Sequence, residues 1–193
     1  LAASASILGN GGDIALDQAT NNLTGEVSIN TTGAATVSIT DESELRFGVV
    51  GVGTGDLTAR AGSFTQNGSG IVTGGAASFN ANGTSTGAII LNEATNSFGG
   101  NVSLFNTNPA EGVQLRNSIA LVLGTVNTAG SLSVWGAGIT QGGTGINATG
   151  SASFDAGAGQ INLSNVDNEF AGSVSLNNTG PNNVAITDAT ALA

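Results

Sequence analysis

Ala94-Thr95-Asn96-Ser97-Phe98-Gly99-Gly100-Asn101-Val102-Ser103-Leu104 is one of three versions of a single phrase in this chain. It stands earlier as Ala19-Thr20-Asn21-Asn22-Leu23-Thr24-Gly25-Glu26-Val27-Ser28-Ile29 and later as Val166-Asp167-Asn168-Glu169-Phe170-Ala171-Gly172-Ser173-Val174-Ser175-Leu176. The offsets are 75 and 72 residues. A second block keeps the register: Thr65-Gln66-Asn67-Gly68-Ser69-Gly70-Ile71 returns 75 residues on as Thr140-Gln141-Gly142-Gly143-Thr144-Gly145-Ile146, with Phe79 and Phe154 at matching places. The three residues by which the offsets differ fall at Thr84-Ser85-Thr86, read as an insertion in a turn. The chain thus divides into a first copy over 1–73, partial at its start, a second over 74–148 and a truncated third over 149–193.

Within a copy, short apolar-polar-apolar triplets recur, such as Ala77-Ser78-Phe79, Val102-Ser103-Leu104, Val113-Gln114-Leu115 and Leu132-Ser133-Val134. A period of two is that of a strand with one face buried. Between triplets lie Gly-, Asn- and Thr-rich pieces, including Asn80-Ala81-Asn82-Gly83 and Asn106-Thr107-Asn108-Pro109, whose chemistry suits tight corners. No stretch of helical period is present. Strands so spaced fit a sandwich or a solenoid, and the long repeat favours the solenoid, because stacked coils add like layers. Two triplets per turn give coils of roughly 19 residues. Some ten coils at about 4.8 Å each make a rod on the order of 50 Å long. The expected interior is aliphatic, with Phe79, Phe98, Phe154 and Phe170 as larger fillers and Leu23 in place of Phe98 in the first copy. Asn21, Asn96 and Asn168 are expected to form a corner ladder, each amide bonding to the coil above.

Composition narrows the chemistry. About half of the 193 residues are Gly, Asn, Thr or Ser, and only 8% are charged, against roughly 25% in an ordinary soluble domain. The basic residues are Arg46, Arg60 and Arg116 alone, so a nucleic-acid partner is not expected. A net charge of −10 argues against attraction to anionic membrane surfaces. Cys, His, Met and Tyr are absent, which removes the commonest nucleophiles, general bases and transition-metal ligands. No enzyme activity, cofactor or metal is therefore expected. No apolar run reaches the ~20 residues that span a bilayer, and no secretory leader is recognised.

The phrases Asn21-Asn22-Leu23-Thr24-Gly25, Asn96-Ser97-Phe98-Gly99-Gly100 and Asn168-Glu169-Phe170-Ala171-Gly172, each leading to Val-Ser-Ile or Val-Ser-Leu, resemble the degenerate repeats of filamentous-haemagglutinin-like adhesins and related autotransporter passengers. Gly138-Ile139-Thr140-Gln141 and Leu123-Gly124-Thr125-Val126 are similar too. The resemblance covers nearly the whole chain and implies an all-β, right-handed parallel β-helix displayed on a bacterial cell surface.

Five places invite a more specific reading. Val49-Val50-Gly51-Val52-Gly53-Thr54-Gly55-Asp56 has the glycines of a phosphate loop, yet a strand-like stretch follows where a helix is needed. Asp41, Glu42 and Glu44 beside Arg46 form the densest charge cluster. Calcium wants six to eight oxygens, and only Asn or Asp recurs at the first of these positions (Asn117, Asp188), so a solvated corner is the expectation. Asn10-Gly11-Gly12-Asp13 reads as a turn. Asp167 and Glu169 are the nearest carboxylate pair for glycan chemistry on a β-helix, without a basic residue nearby in sequence. Trp135, the single Trp, stands where Arg60 stood one copy earlier. A position held by Arg or Trp is a partly exposed rung residue or, functionally, a sugar-stacking or protein-contacting platform.

The expectation is a non-enzymatic bacterial adhesin or exoprotein segment, a rigid rod for surface attachment or cell-cell contact, with Trp135 and Arg60 as possible contacts to a surface glycan or protein. Alternatives are a subunit of an extracellular fibre that stacks coil on coil, and a carbohydrate-active β-helix. Ala191-Leu192-Ala193 matches Ala120-Leu121-Val122, midway through a copy. The open coil ends are expected to meet adjoining repeats or neighbouring copies.

Overall fold

The computed structural model describes residues 4–81, 87–190 and 192. Thr84-Ser85-Thr86, the expected turn insertion, lies outside the described residues. Among those described, twenty-two strands form and no helix, hence none long and apolar enough to cross a membrane. Every strand pairing is parallel.

The chain alternates between two sheets. In the first, nine strands stack from Ala5–Leu8 through Glu26–Thr31, Glu44–Val52 and onward to Val174–Asn177; in the second, nine stack from Ile14–Leu16 to Val184–Ile186. Parallel neighbours cannot be joined by a tight hairpin, and here the crossing to the opposite sheet and back is the connection. The fold is a parallel β-solenoid. About ten coils are expected from the triplets, whereas nine rungs make about eight turns. A turn takes more residues than the triplet spacing suggests, since in-register partners lie from 18 apart (Leu121 and Ile139) to 25 apart (Phe64 and Ile89). Part of that length goes into a short third side, where Ile71–Thr73 pairs with Val50–Val52 and with Ser97–Phe98.

The repeat and the turn are out of step. Seven half-turns carry the chain from Glu26–Thr31 in the first sheet to Asn101–Asn106 in the second, and seven more to Val174–Asn177 in the first again. One copy therefore winds three and a half turns, and equivalent residues occupy opposite faces. The short third side obeys the same rule: Ile146–Ala148 and Glu169–Phe170 stack beside Val126–Thr128, now attached to the second sheet.

Local details repeat with the same half-turn shift. The register slips between Val27 and Ile29 and again between Val102 and Leu104. At these bulges Ser28 Oγ accepts the Val49 N–H at 3.2 Å, and Ser103 Oγ accepts that of Thr125 at 3.1 Å. Two glycine columns mark equivalent corners, Gly55-Gly75-Gly100 and Gly130-Gly150-Gly172. A Cβ on Gly150 or Gly172 would lie 2.5 Å from the carbonyl oxygen of the glycine one coil before it. None of these six has positive φ, so the demand is for space between coils.

Between the end rungs the inward positions of both sheets are sealed and mostly apolar, with Thr31, Asn106 and Thr128 as polar exceptions, as alternation along each strand dictates. Phe47 and Phe64 stack at 6.0 Å between centroids, and Phe79 from the opposite sheet meets both edge-on at 6.2 and 5.7 Å. The outward positions carry the polar side chains, and with them every candidate contact.

Candidate functional site

The recurrent asparagines hold corners. Asn96 Oδ1 accepts the Ile71 N–H at 2.8 Å while its Nδ2 donates to the Leu91 carbonyl at 3.0 Å. Asn168 does the same with Ile146 at 2.8 Å and Leu163 at 2.8 Å. Asn21 Nδ2 donates to the carbonyls of Leu16 and Thr40 at 2.9 and 3.1 Å. Lying seven half-turns apart, the three do not stack on one another; each is a separate clamp between its own coils. Phe98 and Phe170 pack beside them, edge-on to Phe79 at 5.9 Å and to Phe154 at 6.0 Å respectively, all four fully buried.

A second clamp involves the charge cluster. Asp41 is 3% exposed, so the solvated-corner reading is corrected: its Oδ2 accepts the Leu23 N–H at 2.6 Å, and its Oδ1 accepts the N–H and Oγ–H of Ser43. Asn117 Oδ1 accepts the N–H of Phe98 at 2.8 Å, and Asp188 Oδ1 accepts that of Phe170 at 3.1 Å. The recurring Asn or Asp is thus a side-chain acceptor for one backbone N–H in each copy, that of Leu23, Phe98 or Phe170. Glu42, Glu44 and Arg46 are exposed, with Arg46 on Asn67 Oδ1 at 2.8 Å. Among the described residues no three carboxylates gather to hold a metal ion.

The other motifs are likewise placed. Val49-Val50-Gly51-Val52 continues a strand, and Asp56 accepts the Ala76 N–H of the next coil at 2.8 Å. Asn10 and Gly11 form a turn with φ of 48° and 90°, and Asp13 accepts the Thr36 N–H at 2.7 Å. Asp167 and Glu169 flank the buried Asn168 as exposed side chains, and Asn147 Nδ2 donates to Glu169 Oε2 at 3.1 Å.

Trp135 stands at the end of Leu132–Trp135, on the first sheet, half-buried. Its register partners are Arg116 one rung before and Asp155 one rung after, and Asp155 in turn faces Asn177. Rungs about 4.8 Å apart place a cation, an indole and a carboxylate in one column. The backbone beneath is tied down: the Asn117 N–H donates to the Trp135 carbonyl at 2.9 Å, and the Gly136 N–H to that of Asp155 at 2.9 Å. Beside the column runs an open groove of about 440 Å³, walled by Asn117 and Ser118 and otherwise by Gly136, Ala137, Gly157 and Ala158, which are small.

The groups in this groove differ in how much bonding capacity they retain. Asp155 accepts from the Gly157 N–H at 2.9 Å and from Asn177 Nδ2 at 3.0 Å. Asn117 Nδ2 donates to the Phe98 and Ala120 carbonyls, and Ser118 Oγ to that of Asn96. Arg116 is exposed and has no hydrogen bond or ion pair among the described residues. The Trp135 Nε1–H has no protein partner there either, and since no buried side-chain nitrogen or oxygen lacks a partner, it reaches solvent. The groove therefore offers two unused donors and one apolar ring.

Arg60 does not join Trp135. It is exposed on Leu57–Arg60 of the second sheet, between Thr40 and Asn80, because half-turn winding sends equivalent positions to opposite faces. Sequence reading does not single out Arg116 or Asp155 as site residues although a signal is there: each follows a triplet, Val113-Gln114-Leu115 or Ala152-Ser153-Phe154, as Trp135 follows Leu132-Ser133-Val134.

A family model described as "Repeats of unknown function (DUF5649)" matches residues 1–30, 34–105 and 110–177. Its three segments end 75 and 72 residues apart, in step with the Val-Ser-Ile and Val-Ser-Leu strands. No curated protein and no solved structure matches the chain.

Proposed function

Because this chain belongs to the DUF5649 family of repeats of unknown function, and its repeats wind into a rod, we propose that it serves as a segment of a bacterial cell-surface or secreted adhesin. On this reading it is a non-enzymatic, extracellular β-solenoid that keeps contact surface at a fixed distance. The observation that carries the reading is the outward column Arg116-Trp135-Asp155, a large aromatic left half-buried on a face whose inward positions are sealed. Aromatic rings with a polar tip are favoured where one side meets a partner and the other stays wet. Single contacts of this kind are weak, and a rod carrying several gains strength by avidity.

The test is retention of the labelled segment on intact cells and on glycan-coated surfaces, beside its Trp135→Ala variant and an unrelated acidic β-rich protein. Saturable retention that falls several-fold in the variant supports adhesion through this column. Retention no greater than the control recasts the segment as a spacer.

A further inference from the structure

We propose that the groove at Trp135 is a subsite for a carboxylate-bearing sugar residue within a sparsely charged glycan. The proposal rests on the adhesin reading and narrows it to a ligand class. Three observations lead to it. Trp135 lines the groove together with small residues, Gly136, Ala137, Gly157 and Ala158, which leave room for a ring beside the indole. Sugar rings offer an apolar face through their C–H bonds, and an aromatic platform selects for it.

The second observation is the pair of unused donors. Arg116 and the Trp135 Nε1–H are unpartnered among the described residues, whereas the acceptors nearby are largely committed. A site with spare donors takes a ligand with spare acceptors, and the planar guanidinium matches a carboxylate with two parallel hydrogen bonds. The Arg116 backbone stands one rung, about 4.8 Å, from that of Trp135, which suits a carboxylate projecting from the ring that Trp135 holds.

The third is the charge of the whole chain. At −10, with two arginines besides Arg116, the protein repels a dense polyanion before contact is made. Glycans in which single carboxylates are separated by neutral sugars avoid most of that repulsion. A neutral glycan would leave Arg116 without a partner.

Trp135 supplies its own readout, being the only Trp in a chain without Tyr. The experiment titrates the intact segment with oligosaccharides ending in glucuronate, galacturonate, mannuronate or sialate, each against its neutral counterpart, and follows tryptophan emission. At least one acidic member is expected to give a saturable change at concentrations about tenfold below its neutral counterpart. Arg116→Gln is expected to abolish that tenfold preference, while Arg60→Gln, exposed on the opposite sheet, leaves it intact. Equal response to acidic and neutral sugars, no response to any, or a preference that survives in Arg116→Gln overturns the proposal. Retention on cells without any sugar response would refute this subsite and leave the adhesin reading standing.

Discussion

Gln66 and Asn96, a coil apart, bind each other twice: Gln66 Nε2 donates to Asn96 Oδ1 at 2.7 Å, and Asn96 Nδ2 donates to Gln66 Oε1 at 3.0 Å. Gln141 and Asn168 repeat the exchange at 2.6 and 3.0 Å on the opposite side of the rod. Asn96 is fully buried, and its removal takes a partner from the Ile71 N–H, the Leu91 carbonyl and the Gln66 amide together, of which Gln66 keeps the Ser69 carbonyl. Asn96→Ala is expected to destabilise by about 2–3 kcal/mol, since each buried group left unmatched costs about 1–3 kcal/mol and water reaches some of them. The urea midpoint, with hydrogen exchange at the Ile71 amide, measures it.

Asp41 and Asn117 perform one task with different chemistry, and this yields a paired prediction. Asp41→Asn keeps an oxygen for the Leu23 N–H, as Asn117 does for Phe98, but sets its Nδ2 against the Ser43 N–H, and is expected to cost about 1 kcal/mol. Asp41→Ala leaves both N–H groups without their acceptor and is expected to cost about 2–3 kcal/mol. Thermal unfolding of both variants beside the parent decides between a geometric and a charge-specific role.

Glycine columns set the spacing of the coils at two corners. A Cβ on Gly150 meets the Gly130 carbonyl, a backbone atom that cannot turn aside. Gly150→Ala is expected to destabilise by about 1–3 kcal/mol, the usual range for overpacking. Gly143→Ala, where nothing lies within 4 Å, tests the contrast: its cost is one of backbone conformation at φ 107° and should leave inter-coil protection at Ala152 unchanged.

Phe79 joins three other rings, Phe47, Phe64 and Phe98, across the interior. Phe79→Ala is expected to cost about 3–5 kcal/mol and Phe79→Leu clearly less, because the cavity left behind dominates. Far-UV circular dichroism against urea gives both values.

Much of this was legible beforehand. The 75-residue recurrence and the Val-Ser-Leu triplets led to stacked coils, because a long repeat of short strands adds like layers when it winds, and the family resemblance implied that the strands run parallel. Turn length was not legible, since the short side at Ile71–Thr73 has no alternation long enough to distinguish it from a corner. The burial of Asp41 was hidden for another reason: an acidic residue among Glu42 and Glu44 reads as solvated unless the N–H groups it faces are known. The outward column at Trp135 depended on register, and triplets alone do not reveal which residue follows which across a coil.

Half-integer winding gives copy number a directional meaning. Removing or duplicating one full copy keeps strand register and the glycine columns in line at the junction, since each copy already hands over to the next at that offset. The rod shortens or lengthens by about 17 Å, taking 4.8 Å per turn, and everything beyond the junction rotates by half a revolution about the long axis. An even change restores the original bearing. Homologous recombination between copies would thus re-aim whatever the rod carries while the coils keep their register.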